Sequence, residues 1–312
     1  TMTYRSVFKP DLFKGQTHIV TGGGSGIGRC TAHELASLGA QVAIVGRKIE
    51  KLEAVKAEIE SLGGKVSCHV CDIREEATVK QMIADVIAQH GAIHALVNNA
   101  GGQYPSQVKD LSVKGWEAVI RNNLTGGFIV AREAYNQWMA AHGGSIVNII
   151  ADIWGGMPTM AHTGAARAGM LNFTESAACE WAQSDVRVNA VAPGWIASSG
   201  FDTYDAAMQA ELRRLKDKVP LGRYGNEAEV SAAITFLLSP GAAFITGSCI
   251  RIDGGVQVPR RGVIDLGVRV VLAPGDRAGD HARRDEPRQI IDVPVGVIVQ
   301  QTVAQPHHHL GA

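Results

Sequence analysis

Aromatic and charged residues are both scarce in this sequence, at 5% and 19% of 312 residues. The 30 basic residues balance 30 acidic ones, so no broad electrostatic surface for nucleic acid or an anionic membrane is expected. No apolar run is long enough to span a membrane, and residues 1–16 lack the apolar stretch of a secretory signal. We therefore expect small-molecule partners, no nucleic-acid or membrane partner, and a cytoplasmic location.

Cysteine is also sparse, and the five cysteines lack the spacing of zinc ligands. We expect a reducing compartment and no metal site. Residues 262–312 contain no aromatic residue, lysine or cysteine, so little independent core is expected there. We predict an N-terminal arm over 1–11 and a poorly ordered C-terminal extension over 259–312, with short strands at 268–272 and 293–299 as an alternative.

Between these ends, short apolar runs alternate with segments of helical periodicity. Such alternation is typical of parallel strands joined by right-handed helical crossovers. The sequence predicts an α/β fold, a Rossmann-type doubly wound sheet of seven parallel strands in a single domain over residues 12–258. The predicted strands lie at 17–20, 41–45, 65–70, 95–98, 145–150, 186–191 and 248–253, and the predicted helices at 29–38, 49–62, 75–90, 113–141, 160–182 and 226–238.

The first predicted strand leads into a glycine-rich turn that precedes a helix. Glycines at such a turn let the backbone bend tightly, approach a pyrophosphate and pack the helix closely on the sheet. The helix N-terminus then favours the anion through its open N–H groups and its dipole. The turn predicts a dinucleotide cofactor, held by Thr21, Gly22, Gly24, Ser25, Gly26, Ile27 and Gly28.

The second predicted strand ends at Arg47 and Lys48, where such folds select the adenosine ribose. An acidic residue there would accept bonds from both hydroxyls of NAD, whereas these two cations favour a 2′-phosphate. We therefore predict a preference for NADP(H), with NAD(H) as the alternative, and Arg29 as an additional phosphate contact. The competing interpretation is that both cations are only the solvated start of the next helix.

Further motifs resemble those of the classical short-chain dehydrogenase/reductase family over residues 12–258. They are Asp72 after the third strand, Asn98 to Gly101 after the fourth, Asn123, Asn189 to Gly194, and Ile252 to Gly255. The resemblance implies contacts to the adenine, the ribose and the nicotinamide carboxamide. The residues implied for these contacts are Asp72 and Ile73, then Asn99, Ala100 and Gly101, then Pro193, Gly194, Ile196 and Ser198.

The family's usual catalytic serine, tyrosine and lysine are missing from the matching positions. Thr163 stands at the tyrosine position, Arg167 at the lysine position, and Ile150 or Ala151 at the serine position. Of the family's proton-handling residues, only Asn123 is retained. A threonine hydroxyl can orient or donate a hydrogen bond but cannot act as a phenolate does.

Arg167 cannot relay a proton near neutral pH, but it can bond the nicotinamide ribose and supply fixed positive charge for a developing oxyanion. This favours reduction of an activated carbon–carbon double bond, in which an enolate forms, over oxidation of an alcohol, which requires a base. Segments 98–105, 114–116, 123–128, 142–150 and 162–169 likewise resemble the trans-2-enoyl-CoA reductase branch. We therefore predict an NADPH-dependent reductase of an enoyl thioester or enone.

The proton donor has two candidates. Related dienoyl-CoA reductases carry an acid fifteen residues before the basic residue, which corresponds here to Asp152. A turn-capping role for this aspartate is the alternative. His162 is the other titratable group near the predicted cofactor, as an acid or in a water relay, and a purely structural histidine is the competing interpretation.

Apolar side chains near this site predict a hydrophobic or acyl-thioester substrate, although a plain core would also contain them. They are Trp154, Met157, Met160, Trp195 and Phe201, while Tyr104 and Tyr204 are expected to pack beside the substrate entrance. Two other functions remain open: an NAD(P)-dependent dehydrogenase of a branched or isoprenoid alcohol such as citronellol, and a cofactor-binding protein without turnover. By resemblance we also expect a homo-oligomer, a dimer or tetramer.

Overall fold

A computed structural model of the chain describes residues 8–197 and 216–256, and all of these belong to one compact unit. The strands are β1 (Thr17–Thr21), β2 (Gln41–Gly46), β3 (Lys65–Val70), β4 (Ala95–Asn98), β5 (Gly144–Ile149), β6 (Val186–Pro193), β7 (Ile196–Ala197), β8 (Gly225–Asn226) and β9 (Cys249–Ile252). Within the described residues, seven parallel strands form one sheet in the order β3-β2-β1-β4-β5-β6-β9, and β7 pairs with β8.

Helices connect the parallel strands. They are α1 (Gly26–Ser37), α2 (Ile49–Ser61), α3 (Glu76–His90), α4 (Val113–Ile120), α5 (Gly126–Ala134), α6 (Ala140–His142), α7 (Ala161–Trp181) and α8 (Glu227–Leu238). Single 3₁₀ turns lie at Val108–Asp110, Ala182–Ser184, Lys216–Lys218 and Pro240–Ala242. Among the described residues, no helix combines the length and apolar character that a membrane crossing requires.

The predicted fold class and the strand order expected of a doubly wound sheet are confirmed. The predicted helix over 113–141 is continuous but not uniform, because π-helical turns at Arg121–Thr125 and Tyr135–Met139 join α4, α5 and α6. Such a turn inserts one extra residue into the helix, which hydropathy periodicity does not reveal. The first of the two turns contains Asn123.

The strands are buried on both faces because helices cover each side of the sheet. All five residues of β1 are buried. Successive side chains of a strand point to opposite faces, so Val20 packs into one hydrophobic cluster and Ile19 into the other. Polar groups consequently collect where the strands end, and the strand order reverses between β1 and β4, which is where such sheets bind ligands.

Several predictions fall on residues outside the described ranges. They concern residues 1–7 of the N-terminal arm, Ser198, Phe201, Tyr204, and the extension over 259–312 with its two alternative strands. The domain boundaries at residues 12 and 258 stay predictions.

Candidate active site

The turn between β1 and α1 has a backbone conformation that strongly favours glycine. Gly22 and Gly26 have φ angles of +67° and +58°, which L side chains rarely adopt. A Cβ on Gly28 would lie 2.3 Å from the carbonyl oxygen of Gly22. Ser25, the N-cap of α1, makes no side-chain capping bond. The tight turn and the uncapped start of α1 fit an anionic pyrophosphate.

Thr21 and Asn99 join this turn to the one after β4. The Thr21 hydroxyl oxygen accepts hydrogen bonds from the backbone N–H groups of Asn99 and Ala100, both at 3.0 Å. The side-chain Nδ2 of Asn99 donates to the Thr21 carbonyl oxygen at 2.9 Å. Both side chains were predicted as cofactor contacts, and the structure uses them to position the two turns against each other.

A cleft of about 210 Å³ opens over these turns. It is lined by nine residues that the sequence predicted for the cofactor: Gly22, Gly24, Ser25, Arg47, Lys48, Asp72, Ile73, Ala100 and Gly101. Sequence reasoning missed Val45, Gly46, Lys51, Leu52, Cys71 and Asn122, which also line it. Lys51 had a readable signal, since it lies in the first turn of α2, three residues after the N-cap Lys48.

Three cations, Arg47, Lys48 and Lys51, line this cleft. Within the described part of the chain, no carboxylate lies in ion-pair distance of any of them. Arg29 was predicted to assist them, but its Nε donates to Glu58 Oε2 at 2.7 Å, on α2. The arrangement leaves Arg47, Lys48 and Lys51 as the cations that an anionic ligand would meet.

Asp72 also lines the cleft, as an anion. Arg74 donates to its carboxylate, including a bond of 2.8 Å from Nε to Oδ1. These hydrogen bonds lower the pKa of Asp72 to about 2. Asp72 therefore stays a hydrogen-bond acceptor over the whole neutral range, as recognition of donor groups on an adenine requires.

Arg167 is a buried cation on α7. Its Nη1 donates to the Ile149 carbonyl oxygen, at the end of β5, with a distance of 2.7 Å. Burial lowers the pKa of Arg167 to about 10, so the group remains charged near neutral pH. No carboxylate among residues 8–197 and 216–256 forms an ion pair with it. A buried charge without a counter-charge is costly, which points to a functional role.

Gly101 brings the loop after β4 close to this guanidinium. A Cβ on Gly101 would lie 2.4 Å from Arg167 Nη2 and 2.5 Å from Asn123 Oδ1. Asn123 Nδ2 donates to the carbonyl oxygens of Gly102 and Val119, at 2.7 and 3.0 Å. Its Oδ1 accepts from the Gly102 N–H at 3.2 Å. The Asn123 side chain thus holds the loop at Gly101 and Gly102, which closely approaches Arg167.

Thr163 and His162 are fully buried at the start of α7. The Thr163 N–H donates to His162 Nδ1 at 2.8 Å, and the Thr163 hydroxyl lies 3.4 Å from the same nitrogen. The Tyr104 ring packs edge-on against the imidazole, with ring centroids 4.9 Å apart. The sequence predicted Tyr104 beside the substrate entrance, but it gave no sign of this contact.

The loop between β5 and α7 carries Asp152 and three residues of the predicted apolar wall, Trp154, Met157 and Met160. Trp195 of the same wall follows β6, and Phe201 lies outside the described residues. The Asp152 N–H donates to the Pro193 carbonyl oxygen at 3.3 Å, which ties the loop to the end of β6. Trp154 is 46% exposed, and the Arg251 guanidinium lies 5.4 Å from the centre of its ring. Met157 packs near Gly164, where a Cβ would lie 3.3 Å from the Met157 Cβ.

The segment predicted to hold the nicotinamide follows β6. A Cβ on Gly194 would lie 2.8 Å from the Asp253 Cα, so glycine allows this turn to pack against the end of β9. Ile196 is buried and belongs to the hydrophobic core. Pro193 ends β6, which puts these residues at the same sheet edge as the cleft.

Comparison with known proteins agrees with this geometry. Residues 22–257 match a protein family described as enoyl-(acyl carrier protein) reductase. A Bacillus subtilis (strain 168) protein described as a probable 2,4-dienoyl-CoA reductase is 38% identical over 240 residues, covering 76% of this chain and 94% of that protein.

Solved structures give the same fold. A citronellol catabolism dehydrogenase from Pseudomonas aeruginosa PAO1 is 61% identical, with a TM-score of 0.74 over 81% of this chain and 99% of its own. A Beutenbergia cavernae structure with bound NADP at low occupancy is 30% identical, with a TM-score of 0.74 over 80% of this chain and 99% of its own. These relatives are similar to the chain across nearly their whole lengths.

Proposed function

Because the chain belongs to the short-chain dehydrogenase/reductase family, we propose that it is an NADPH-dependent oxidoreductase that reduces the activated carbon–carbon double bond of an enoyl thioester or enone. Oxidoreductase activity on a small molecule follows from the family. The choice of reaction rests on one observation. Where the family places a lysine beside a phenol, this chain buries the Arg167 guanidinium with no carboxylate partner in the part of the chain that the structure describes.

The preference for NADP(H) over NAD(H) is supported by the cations of the cleft. Arg47, Lys48 and Lys51 line it, and the position after β2 has no carboxylate that would repel a 2′-phosphate. The tight glycine turn and the uncapped start of α1 support pyrophosphate binding at the N-terminus of α1. Bound NADPH supplies the hydride that adds to the β carbon of the substrate.

Arg167 stabilises the negative charge that develops on the substrate's carbonyl oxygen. Its guanidinium is held by the Ile149 carbonyl oxygen and covered by the loop at Gly101, so its position is fixed before the substrate binds. A charge in a water-excluded site acts more strongly than in water, and it costs no reorganisation during reaction. The same guanidinium also has donors for a ribose hydroxyl.

Asp152 is the candidate donor of the proton that the α carbon needs after hydride addition. It lies on the loop between β5 and α7, and its backbone is tied to Pro193. In the overall reaction the β carbon receives one hydride and the α carbon receives one proton, and the enolate is the intermediate between these two steps. Asp152 takes its proton from solvent in each turnover.

A second candidate function is the dehydrogenation of a branched or isoprenoid alcohol. The observation that favours it is the 61% identity to the citronellol catabolism dehydrogenase. Alcohol oxidation needs a base for the hydroxyl proton, and Asp152 or His162 would have to provide it. The lead remains double-bond reduction because a guanidinium at position 167 cannot pass that proton on.

The test follows NADPH absorbance with crotonyl-CoA, a longer enoyl-CoA and a saturated ketone, together with NADP⁺ and citronellol. NADPH binding is measured in parallel by its fluorescence. Turnover of the enoyl substrates alone is the expected result. Oxidation of citronellol without enoyl turnover would replace the lead by the second candidate, and tight NADPH binding without any turnover would contradict both.

We further propose that the protein is a homo-oligomer. Large apolar side chains are exposed on α4 and α5, including Val113, Trp116 and Phe128, with exposed fractions of 73%, 38% and 37%. Exposed apolar patches on helices are typical of association sites. Light scattering coupled to size exclusion is expected to give a dimer or tetramer, and a monomer at all concentrations would contradict this.

A further inference from the structure

A buried imidazole lies next to the residue at the family's tyrosine position. His162 is the second residue of α7 and is wholly inaccessible to solvent. Its Nδ1 accepts a hydrogen bond of 2.8 Å from the N–H of Thr163. An imidazolium, which has a hydrogen on each nitrogen, could not accept that bond. The hydrogen-bond geometry therefore indicates a neutral ring whose one N–H is at Nε2.

The Nε2 atom has no hydrogen-bond partner among the described residues. Buried N–H donors without a partner cost free energy, and in native proteins such groups are usually explained by a function or by a bound ligand or water. The helix N-terminus adds partial positive charge around the imidazole, which favours a negatively charged or carbonyl oxygen as the missing acceptor.

The loop after β4 links this imidazole to Arg167. Gly101 closely approaches the Arg167 guanidinium, and Tyr104 of the same loop contacts the His162 ring. Gly101 and Tyr104 are three residues apart, so their Cα atoms lie within about 11 Å of each other. The guanidinium and the imidazole therefore contact the same short loop.

We propose that His162 Nε2–H donates a hydrogen bond to the substrate's carbonyl oxygen and shares the developing negative charge with Arg167. His162 is then a catalytic residue that acts as a neutral donor and stays protonated at Nε2 throughout. The inference rests on the proposed function for the identity of that oxygen. The proton at the α carbon then comes from a different group, and Asp152 remains the candidate for it.

Tyr104 is the positioning residue that covers this donor. It is 42% exposed, so the imidazole lies one side chain beneath the surface at this point. A Cβ on Gly115 would lie only 1.9 Å from the Tyr104 hydroxyl oxygen. The Tyr104 ring can therefore occupy its place over His162 only because residue 115 is glycine.

The first test compares His162→Asn with His162→Gln. An Asn amide reaches the place of Nδ1 and provides no donor at Nε2, whereas a Gln amide reaches the place of Nε2 and retains one. We expect His162→Asn to lower kcat by about 10²-fold, and His162→Gln to retain most of it. The Kd for NADPH should be unchanged in both variants, which controls for folding. Equal losses in the two variants, or none, would overturn the proposal.

The second test needs no turnover. NMR of protein with ¹⁵N-labelled histidine should give His162 as the neutral tautomer with hydrogen on Nε2. Addition of NADP⁺ and butyryl-CoA, or of NADP⁺ and citronellal, should shift the Nε2 resonance. A hydrogen on Nδ1, or no shift with either ligand, would overturn the proposal. If wild-type protein reduces no enoyl or enone substrate, the proposed function fails while this readout still decides the role of the imidazole.

A third measurement addresses Tyr104 through the exchange of the His162 Nε2 hydrogen with solvent. Gly115→Ala should displace the Tyr104 ring and accelerate this exchange. The same change in a Tyr104→Phe background should not, because the clashing hydroxyl is gone and the ring stays in place. Equal acceleration in both backgrounds would remove Tyr104 from this role.

Discussion

The nucleotide cleft and the first two turns of α7 differ in which of their polar side chains have hydrogen-bond or ion-pair partners. At the cleft, Thr21 and Asn99 bond to the two turns themselves, and the cations Arg47 and Lys48 are exposed to water. In the first two turns of α7, Arg167 is a buried cation with no counter-charge among the described residues, and the His162 Nε2 atom has no hydrogen-bond partner there. The buried polar side chains of the first region are thus paired with the two turns, whereas the second region buries a charge that lacks a counter-charge and a polar atom that lacks a hydrogen-bond partner in the described part of the chain.

This difference explains where chemical specificity resides. A dinucleotide is held by backbone geometry and surface charge, which many related proteins share. In the proposed reaction, a few buried donors act on one developing charge, and an arginine in place of a lysine there changes which charge can be stabilised and which proton can move.

The largest expected effect comes from removing the buried cation. Arg167→Ala should lower kcat by about 10²- to 10³-fold and raise the Kd for NADPH, because it deletes the charge that meets the substrate oxygen and a donor for the ribose. Arg167→Lys is the matched control, since it keeps the charge and should lose less. Steady-state kinetics and NADPH titration measure both. Unchanged kinetics in Arg167→Ala would remove the guanidinium from the mechanism.

The next effect tests how tightly the loop after β4 covers that cation. Gly101→Ala puts a methyl group 2.4 Å from Arg167 Nη2 and 2.5 Å from Asn123 Oδ1, where both neighbours are buried. We expect a loss of about 1–3 kcal/mol in the free energy of unfolding and reduced turnover. Gly102→Ala is the control, because its nearest contact is 3.2 Å, to Asn122 Nδ2. Equal unfolding free energies of the two variants would contradict the packing described.

A smaller effect is expected at the nucleotide cleft. Arg47→Asp should shift the ratio of kcat/KM for NADPH and NADH towards NADH by about 10- to 100-fold, the value of one charged hydrogen bond. Arg29→Ala is the matched control and should leave this ratio unchanged, since Arg29 is bonded to Glu58. A retained preference in Arg47→Asp would mean that Lys48 and Lys51 alone read the phosphate.

The smallest effect concerns stability rather than catalysis. Burial, together with nearby His94, lowers the pKa of His18 to about 3. Below about pH 6.5 the unfolded chain therefore takes up a proton that the folded chain refuses, and the free energy of unfolding falls. From about pH 7 to about pH 5, wild type should lose about 2 kcal/mol more than His18→Gln. Urea titrations at both pH values measure this, and equal losses would contradict it.

The fold could be predicted almost completely from the sequence, because the periodicity of the hydrophobic residues and the positions of the turn residues determine it. The predicted strand 65–70 and helix 49–62 agree with β3 and α2 to within one residue. The π turn at Asn123 and the small β7–β8 pair were not predicted. Both depend on tertiary packing, which overrides local pattern.

The site was predicted in outline but not in its pairings. The spacing of Thr163 and Arg167 identified the altered position, and the glycine turn identified the cleft. Two contacts join segments that are distant in the sequence: Arg29 donates a hydrogen bond to Glu58, and the Tyr104 ring packs against His162. A single sequence shows which chemical groups are present, but it does not show which of them contact one another in the fold.

The central claim is tested most directly by the fate of hydride in one substrate that offers both reactions. Citral contains an activated double bond and an aldehyde, so reduction with NADPH carrying deuterium at C4 of the nicotinamide distinguishes them. Reduction of the activated double bond, which is the expected reaction, places deuterium at the β carbon of citronellal. Deuterium at the carbonyl carbon, in the allylic alcohol, would contradict it.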